Sequence, residues 1–193
     1  MRTWAEVRLD NISHNYRAIR AALPEGCRFL GVVKADAYGH GAVAVARLLE
    51  SEGADYLAVS CLDEAMELRS AGITMPLLIL GHTSSEYTET LIDNDITQTV
   101  SCLAKAQEFS ARAAALGRQL RIHIKIDTGM SRLGFLCGGD SFDEGVATVI
   151  ASCRLPGLLP EGIYTHFAVS DEPDADSERY THQQFDLFCR MID

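Results

Sequence analysis

Short apolar runs alternate with longer amphipathic segments along the chain. The runs predict β-strands over residues 28–33, 56–60, 75–80, 96–100, 120–126 and 162–167. Each is followed by apolar residues at helical spacing, which predict helices over residues 41–50, 62–71, 85–94, 103–116 and 142–152, and from 178 onward. An earlier helix is predicted by Ile12, Tyr16, Ile19 and Leu23, which share one helical face, with Asp10 or Asn11 as its cap.

Strands that alternate with helices predict an α/β fold with a parallel sheet. About six β/α units follow one another from residue 28 onward. Eight such units would close a TIM barrel, whereas six leave either an open doubly wound sheet or an incomplete barrel. The last predicted helix runs to Asp193 without a C-terminal glycine. We therefore expect that the chain is part of a larger fold and has been cut within it.

Composition and charge exclude several classes of protein. Apolar residues make up 47% and charged residues 23% of the 193 residues, a balance typical of a globular domain. The net charge of −10 argues against nucleic-acid binding, and no apolar run has the length of a membrane span. The polar start predicts no secretory signal. The six cysteines are scattered without a C-x-x-C pair, which predicts reduced thiols in a cytoplasmic protein that holds no structural metal.

A lysine directly follows the first apolar strand, in the stretch VVKADAYGHG of residues 32–41. Ligands of β/α folds bind at the C-terminal ends of the strands, and burial there would lower the pKa of the Lys34 amine. A neutral amine can form a Schiff base with an aldehyde. Gly39 and Gly41 open a loop into a helix, where backbone N–H groups could meet a phosphate. The alternative is a strand-end lysine that simply reaches solvent.

Polar residues also mark the ends of two later strands. His123, Lys125 and Asp127 share one face of the fifth strand, and polar groups inside a barrel need ligands or ion partners. Lys125 and Asp127 could pair with each other or with Arg132, which would be a purely structural role. His166 ends the last strand, in GIYTHFA, where a lone histidine is most often a satisfied core residue.

All three stretches resemble motifs of alanine racemases. Residues 32–41 are similar to V-x-K-A-[DN]-[AG]-Y-G-H-G, residues 125–134 to K-x-D-T-G-M-x-R-L-G, and residues 165–168 to T-H-[FL]-[AS]. The resemblance covers essentially the whole chain. It implies a single truncated domain over residues 1–193, an incomplete (β/α)8 TIM-type barrel that binds pyridoxal 5′-phosphate (PLP), without the family's C-terminal β-domain.

The resemblance also implies roles for three residues at the cofactor. Lys34 would carry PLP through a Schiff base and act as the base on the α-hydrogen of the D-enantiomer. Tyr38 would donate a hydrogen bond to the phosphate, although a structural role as a half-buried aromatic residue is the alternative. His166 would lie against the cofactor ring.

The arginine stretch carries the implied substrate contacts. Arg132 would contact the phenolic oxygen of the cofactor and the substrate carboxylate, a task that suits a permanently charged bidentate donor. Met130 belongs to the same motif and would lie at the substrate. Lys125 matches a position that is carbamylated in some members of the family, where the new acidic group orients the arginine.

The resemblance further implies an activity. The complete enzymes interconvert L- and D-alanine as cytoplasmic homodimers and supply D-alanine for bacterial cell-wall peptidoglycan. An arginine at the pyridine nitrogen, a phosphate-binding serine and a second base, a tyrosine of the partner subunit, all belong to segments that this chain lacks. We therefore expect the chain to racemise alanine poorly, or not at all, by itself.

Several other functions remain open at this point. A barrel-type amino-acid decarboxylase is argued against by the ADAYGHG string. Serine racemase or a related barrel-type PLP enzyme is a further alternative. A stand-alone PLP carrier would fit the chain length, but its lysine normally has different neighbours. A non-catalytic interaction domain is argued against, because a binding surface would need none of Lys34, Tyr38, Arg132 and His166.

Overall fold

The structure is a computed structural model that describes residues 3–193. Residues 1 and 2, which belong to the predicted domain 1–193 and to the polar start, lie outside the described residues. The helices are α1 Leu9–Ala22, α2 Lys34–Gly39, α3 Ala42–Ser51, α4 Leu62–Ser70, α5 Thr88–Asp93, α6 Leu103–Ala115, α7 Phe142–Cys153 and α8 Ala175–Ile192. The strands are β1 Leu30–Val32, β2 Tyr56–Val59, β3 Leu77–Ile79, β4 Ile96–Val100, β5 Leu120–Asp127, β6 Phe135–Leu136 and β7 Leu158–Tyr164.

The alternation of strands and helices predicted from the sequence is confirmed, although the short strand β6 was not predicted. Three of the predicted elements need correction. Helix α1 begins at Leu9, and the Arg8 carbonyl accepts hydrogen bonds from the N–H groups of Asn11 and Ile12, so Asp10 and Asn11 lie inside the helix rather than capping it. The helix predicted over residues 85–94 is a 3₁₀ turn, Ser85–Tyr87, followed by the short α5. The third correction concerns the last strand.

The last strand begins four residues earlier than predicted and ends before His166. Pro160 lacks an N–H group, so the sequence argues against a strand at this position. In the structure the strand nevertheless includes Pro160. The register with β5 shifts there, because Pro160 faces Ile122 and Gly162 faces the next residue, His123. The extra residue on β7 is a β-bulge. His166 therefore lies in the segment just beyond the strand.

The chain divides into two compact units, Met1–Thr83 with Asn94–Thr97, and Ser84–Asp93 with Gln98–Asp193. In the first unit, β1, β2 and β3 pair in parallel in sequence order. Leu57, Leu77 and Ile79 are fully buried there, and each large apolar side chain buried in this way stabilises the fold by about 1.5–3 kcal/mol. This packing fixes the end of β1, which is followed by Lys34.

In the second unit, the long strand β5 pairs in parallel with β4, β6 and β7. Ile122, Ile124 and Ile126 are at most 1% exposed and form the buried face of this strand. Strand β5 ends at Asp127 and β7 ends at Tyr164, so the two C-terminal ends lie side by side. None of the helices over residues 3–193 is both long and apolar enough to cross a membrane.

Candidate functional site

A left-handed turn follows β1 and starts with the predicted cofactor lysine. The residues from Ala35 to Tyr38 have φ angles of 50–54° and ψ angles of 39–50°. This conformation costs an L-residue other than glycine roughly 1–2 kcal/mol. Four such residues in succession form only if the surrounding structure holds them, and strain of this kind is concentrated at functional sites. Lys34 is half-buried at the start of the turn.

The carboxylate of Glu64, on α4, ties this turn to the end of β2. One oxygen accepts a hydrogen bond from the N–H of Ala35 at 2.7 Å. The other accepts bonds from the N–H and the hydroxyl of Ser60, at 2.7 and 2.8 Å. Burial raises the pKa of Glu64, but the hydrogen bonds from Ser60 and Ala35 and the charge of Lys34 outweigh it, so the net shift is downward.

Asp36 and His40 hold the other end of the turn. The carboxylate of Asp36 accepts a hydrogen bond from the N–H of Ala42 at 2.7 Å. The ring nitrogen Nδ1 of His40 lies 2.8 Å from the carbonyl of Ala37, so His40 shapes the loop. The N–H of Ala42, the first of α3, was predicted from the sequence to be available to a phosphate. It is already hydrogen-bonded to the Asp36 carboxylate. A phosphate would have to use other groups of this loop.

Lys34 and Tyr38 are brought together within the first unit. The ammonium nitrogen of Lys34 lies 5.8 Å from the centre of the Tyr38 ring. Tyr38 is 62% exposed, so it is not the half-buried structural aromatic residue considered as the alternative. Its hydroxyl is accessible to a ligand beside the lysine.

We expect a Glu64→Gln variant to lose about 1–2 kcal/mol of unfolding free energy at neutral pH, because an amide cannot accept all three hydrogen bonds. A carboxyl group with a lowered folded-state pKa contributes stability that is present above its ordinary pKa of 4.5 and is lost as the pH falls through the folded-state value. Urea unfolding at several pH values should therefore show a difference that shrinks in acid. Glu67→Gln, an exposed change on the same helix, is the control. Equal effects at both positions would contradict the assignment.

Asp127, at the end of β5, organises the loop that carries the predicted arginine. Its carboxylate is buried and accepts hydrogen bonds from the N–H groups of Gly129 and Ser131, both at 2.9 Å, and of Arg132, at 3.1 Å. Ser131 has a φ of 57°, which tightens the loop. Asp127 thus caps a loop rather than simply pairing with a lysine, and it presents Arg132 with an exposed side chain.

Lys125 is buried on the same strand, with 5% of its surface exposed. Its ammonium nitrogen lies 5.0 Å from the centre of the Tyr164 ring. Burial is the main cause that lowers the pKa of Lys125; the charge of Arg132 lowers it further, and Asp127 opposes the shift. The Tyr164 hydroxyl lies 2.9 Å from the Thr99 hydroxyl, and burial raises the pKa of Tyr164. The burial of Lys125 thus shifts its protonation balance toward the neutral amine.

The remaining predicted site residues also lie in the second unit. Met130 is half-buried in the loop that Asp127 caps, and His166 is exposed just beyond β7. The carbonyl of His166 accepts a hydrogen bond from Gln184 on α8 at 3.2 Å. The structure thus groups Lys34 with Tyr38 in one unit, and Lys125, Met130, Arg132 and His166 in the other.

Sequence reasoning missed Glu64 and Gln184. For Glu64 a signal exists, because the string V-S-C-L-x-x-A occurs at residues 59–65 and again at 100–106, with Glu64 replaced by Lys105 in the second copy. A carboxylate that occurs in only one of two equivalent strand–helix junctions indicates that it has a specific role at that junction. Gln184 has no such signal in the sequence, because its neighbour Gln183 is the same residue type. In the structure Gln183 is exposed, whereas Gln184 is 1% exposed.

Comparison with known proteins places these features in one family. Residues 7–193 match the family profile "Alanine racemase, N-terminal domain". The alanine racemase of Clostridium perfringens is 47% identical over 182 residues, which are 94% of this chain and 45% of that protein. The alanine racemase of Clostridium difficile in complex with cycloserine has a TM-score of 0.92 and 44% identity, over 100% of this chain and 51% of that one. The Bacillus anthracis enzyme with bound L-Ala-P has a TM-score of 0.86 and 35% identity, over 98% and 47%.

The fold and these matches thus define a barrel class of PLP-dependent proteins, and the expected incomplete (β/α) barrel is confirmed. The chain belongs to the alanine racemase family, whose members are PLP-dependent isomerases. It spans about half the length of the relatives that it matches.

Proposed function

We propose that this chain is the N-terminal, PLP-binding part of an alanine racemase and serves the interconversion of L- and D-alanine. The observation that carries the proposal is the left-handed turn after β1, which begins with Lys34 and is held by Glu64. A strained turn maintained at the C-terminal end of a parallel strand favours a binding role over a purely structural one.

The described residues fit the chemistry of PLP. The half-buried amine of Lys34 suits covalent attachment to an aldehyde, and the exposed Tyr38 hydroxyl beside it suits a phosphate. The exposed guanidinium of Arg132 suits an anionic oxygen, and the imidazole of His166 suits contact with an aromatic ring. When bound, PLP withdraws electrons from the α-carbon of an amino acid, so that the α-proton can leave.

The residues of this chain would then act on alanine directly. Lys34 would take the α-proton of D-alanine, and in the opposite direction of the reaction it would donate a proton to the same face and so form D-alanine. Arg132 binds the substrate carboxylate, with Met130 beside it in the loop that Asp127 caps. A second base on the opposite face completes racemisation. We place the protein in the cytoplasm as part of a homodimer, a location supported by its six unpaired cysteines.

We also propose that Lys125 is carbamylated. Its lowered pKa favours the neutral form of the amine, and a neutral amine adds carbon dioxide with release of a proton. The resulting anion would compensate the positive charge of Arg132. Intact mass measured under mild conditions should show one added carbon dioxide, absent from Lys125→Ala. An unmodified mass in bicarbonate buffer would contradict the assignment.

The proposed function is tested by locating the cofactor on the chain. The sequence contains only three lysines, Lys34, Lys105 and Lys125, which makes the assignment clear. After incubation with PLP and reduction with borohydride, peptide mass spectrometry should find the label on Lys34. Lys105, which is also half-buried and forms an ion pair with Glu108, reports non-specific labelling in the same sample. Equal labelling of Lys34 and Lys105, or none, would overturn the proposal.

A further inference from the structure

One side chain of α8 reaches the ends of both β5 and β7. Gln184 is 1% exposed, and its amide oxygen accepts a hydrogen bond from the N–H of Ala168 at 2.9 Å. Its amide nitrogen donates to the carbonyl of His166 at 3.2 Å and to the hydroxyl of Thr128 at 3.3 Å. A single residue thus bonds to the segment that carries His166 and to the segment that leads to Arg132.

Two threonines extend this contact into one chain of hydrogen bonds. The hydroxyl oxygens of Thr128 and Thr165 lie 2.8 Å apart, and Thr165 donates to the carbonyl of Ile126 at 3.0 Å. Because Thr165 uses its only proton on Ile126, Thr128 must donate to Thr165 and accept from Gln184. The proton directions are therefore the same along the chain, and every donor in it has an acceptor.

Tyr180, one turn before Gln184 on α8, adds a contact to the same loop. Its hydroxyl donates to the carbonyl of Gly129 at 2.8 Å. The opposite side of this loop is held by Asp127, which accepts hydrogen bonds from the N–H groups of Gly129 and Arg132. The arginine loop is thus fixed from its own strand and from α8.

Only an amide satisfies the contacts of Gln184. The position requires one acceptor and two donors, which a carboxylate or a hydroxyl does not supply. A purely structural buried amide would stabilise the unit wherever it lay. This one bonds directly to His166 and to Thr128, four residues before Arg132, so its loss would move both groups that the proposed function assigns to the ligand.

We propose that Gln184 is a positioning residue that sets the separation and orientation of the His166 and Arg132 segments for PLP and its substrate. The role of this pair rests on the proposed function. The Gln184 side chain acts through the backbone carbonyl of His166 in one segment and through the hydroxyl of Thr128 in the other.

The test compares Gln184→Met with two controls in the 193-residue chain. Gln183→Met makes the same change on the exposed neighbour. Ser110→Ala removes a buried hydrogen bond of 2.6 Å to the Pro156 carbonyl, elsewhere in the second unit. Two properties are measured: the ¹⁵N side-chain NMR signals of His166 and Arg132 without cofactor, assigned with His166→Gln and Arg132→Lys, and the affinity for PLP.

We expect Gln184→Met to shift or broaden both sets of signals and to weaken PLP binding at least about tenfold, since a small misplacement of contact groups is costly. Both controls should leave the signals and the affinity unchanged, although Ser110→Ala lowers stability. Unchanged signals in Gln184→Met, with only reduced stability, would overturn the proposal. If the unsubstituted chain does not bind PLP, the proposed function fails, while the cofactor-free signals still decide the role of Gln184.

A second variant covers the case in which Gln184→Met does not fold. Thr128→Val keeps the shape of the side chain and removes only its hydroxyl, which breaks the branch toward β5 and leaves the bonds to His166 and Ala168. We expect the Arg132 signal to change more than the His166 signal. Equal changes, or none, would contradict the two-branch arrangement.

Discussion

A Lys34→Ala variant is expected to bind no PLP covalently and to lose the visible absorption band of a lysine-bound cofactor entirely. Lys34 is the half-buried amine that follows the C-terminal end of β1, whereas Lys125 is 5% exposed on another strand and Lys105 lies on a helix, paired with Glu108. The turn that follows Lys34 fixes its backbone, so neither of the other amines can replace it. Absorption spectra recorded with added PLP and after dialysis give the measurement.

The matched control for this variant is Lys105→Ala, which removes the half-buried lysine of α6. We expect its band to equal that of the unsubstituted chain. A band that survives in Lys34→Ala but disappears in Lys125→Ala would place the cofactor on Lys125 of β5 and would contradict our proposal. No band in any of the proteins would overturn the proposed function.

The largest loss of stability is expected from Gly134→Ala. Gly134 has a φ of 136°, and a Cβ atom there would lie 2.6 Å from the backbone nitrogen of Asp127 and 2.8 Å from the carbonyl carbon of Ile126. Both atoms belong to the end of β5, which pairs with β6 through the next residue, Phe135. The clash and the strained backbone together should cost roughly 3–5 kcal/mol, a large part of the stability of a typical domain.

Chemical denaturation measures this loss, and Gly117→Ala separates its two causes. Gly117 follows α6 with a φ of 63°, but a Cβ atom there would meet nothing within 4 Å. It should therefore cost only about 1 kcal/mol, the penalty of the left-handed conformation alone. If both variants lost the same amount, the close approach of Gly134 to β5 would carry no weight.

The strands and most helices could be predicted because their apolar periodicity is local. The left-handed turn could not, because a sequence such as Lys34–Tyr38 has no glycine and favours an ordinary helical turn. Its conformation is imposed by Glu64, 29 residues away from Ala35 along the chain. Such a contact is visible only when the two strand ends are already placed side by side.

The candidate site was predictable where a residue's type already states its chemistry. The amine of Lys34 suits an aldehyde and the guanidinium of Arg132 suits an anion, and both residues were singled out because each follows a strand. Asp127 was recognised as polar and buried, but the sequence suggested an ion pair, whereas the structure gives it three backbone N–H groups. Gln184 and Gln183 are equivalent in sequence, and only packing decides which of them is buried.

The handedness of the turn after Lys34 has a consequence for chemical synthesis. Ala35 is exposed and has a φ of 51°, a backbone geometry that is natural for the mirror-image amino acid. A chain assembled by ligation with D-alanine at this one position would relieve the conformational penalty there while leaving the N–H bond to Glu64 in place. In a protein proposed to make D-alanine, position 35 of the backbone would thus accommodate a D-alanine residue with less strain than the L-alanine residue that it holds.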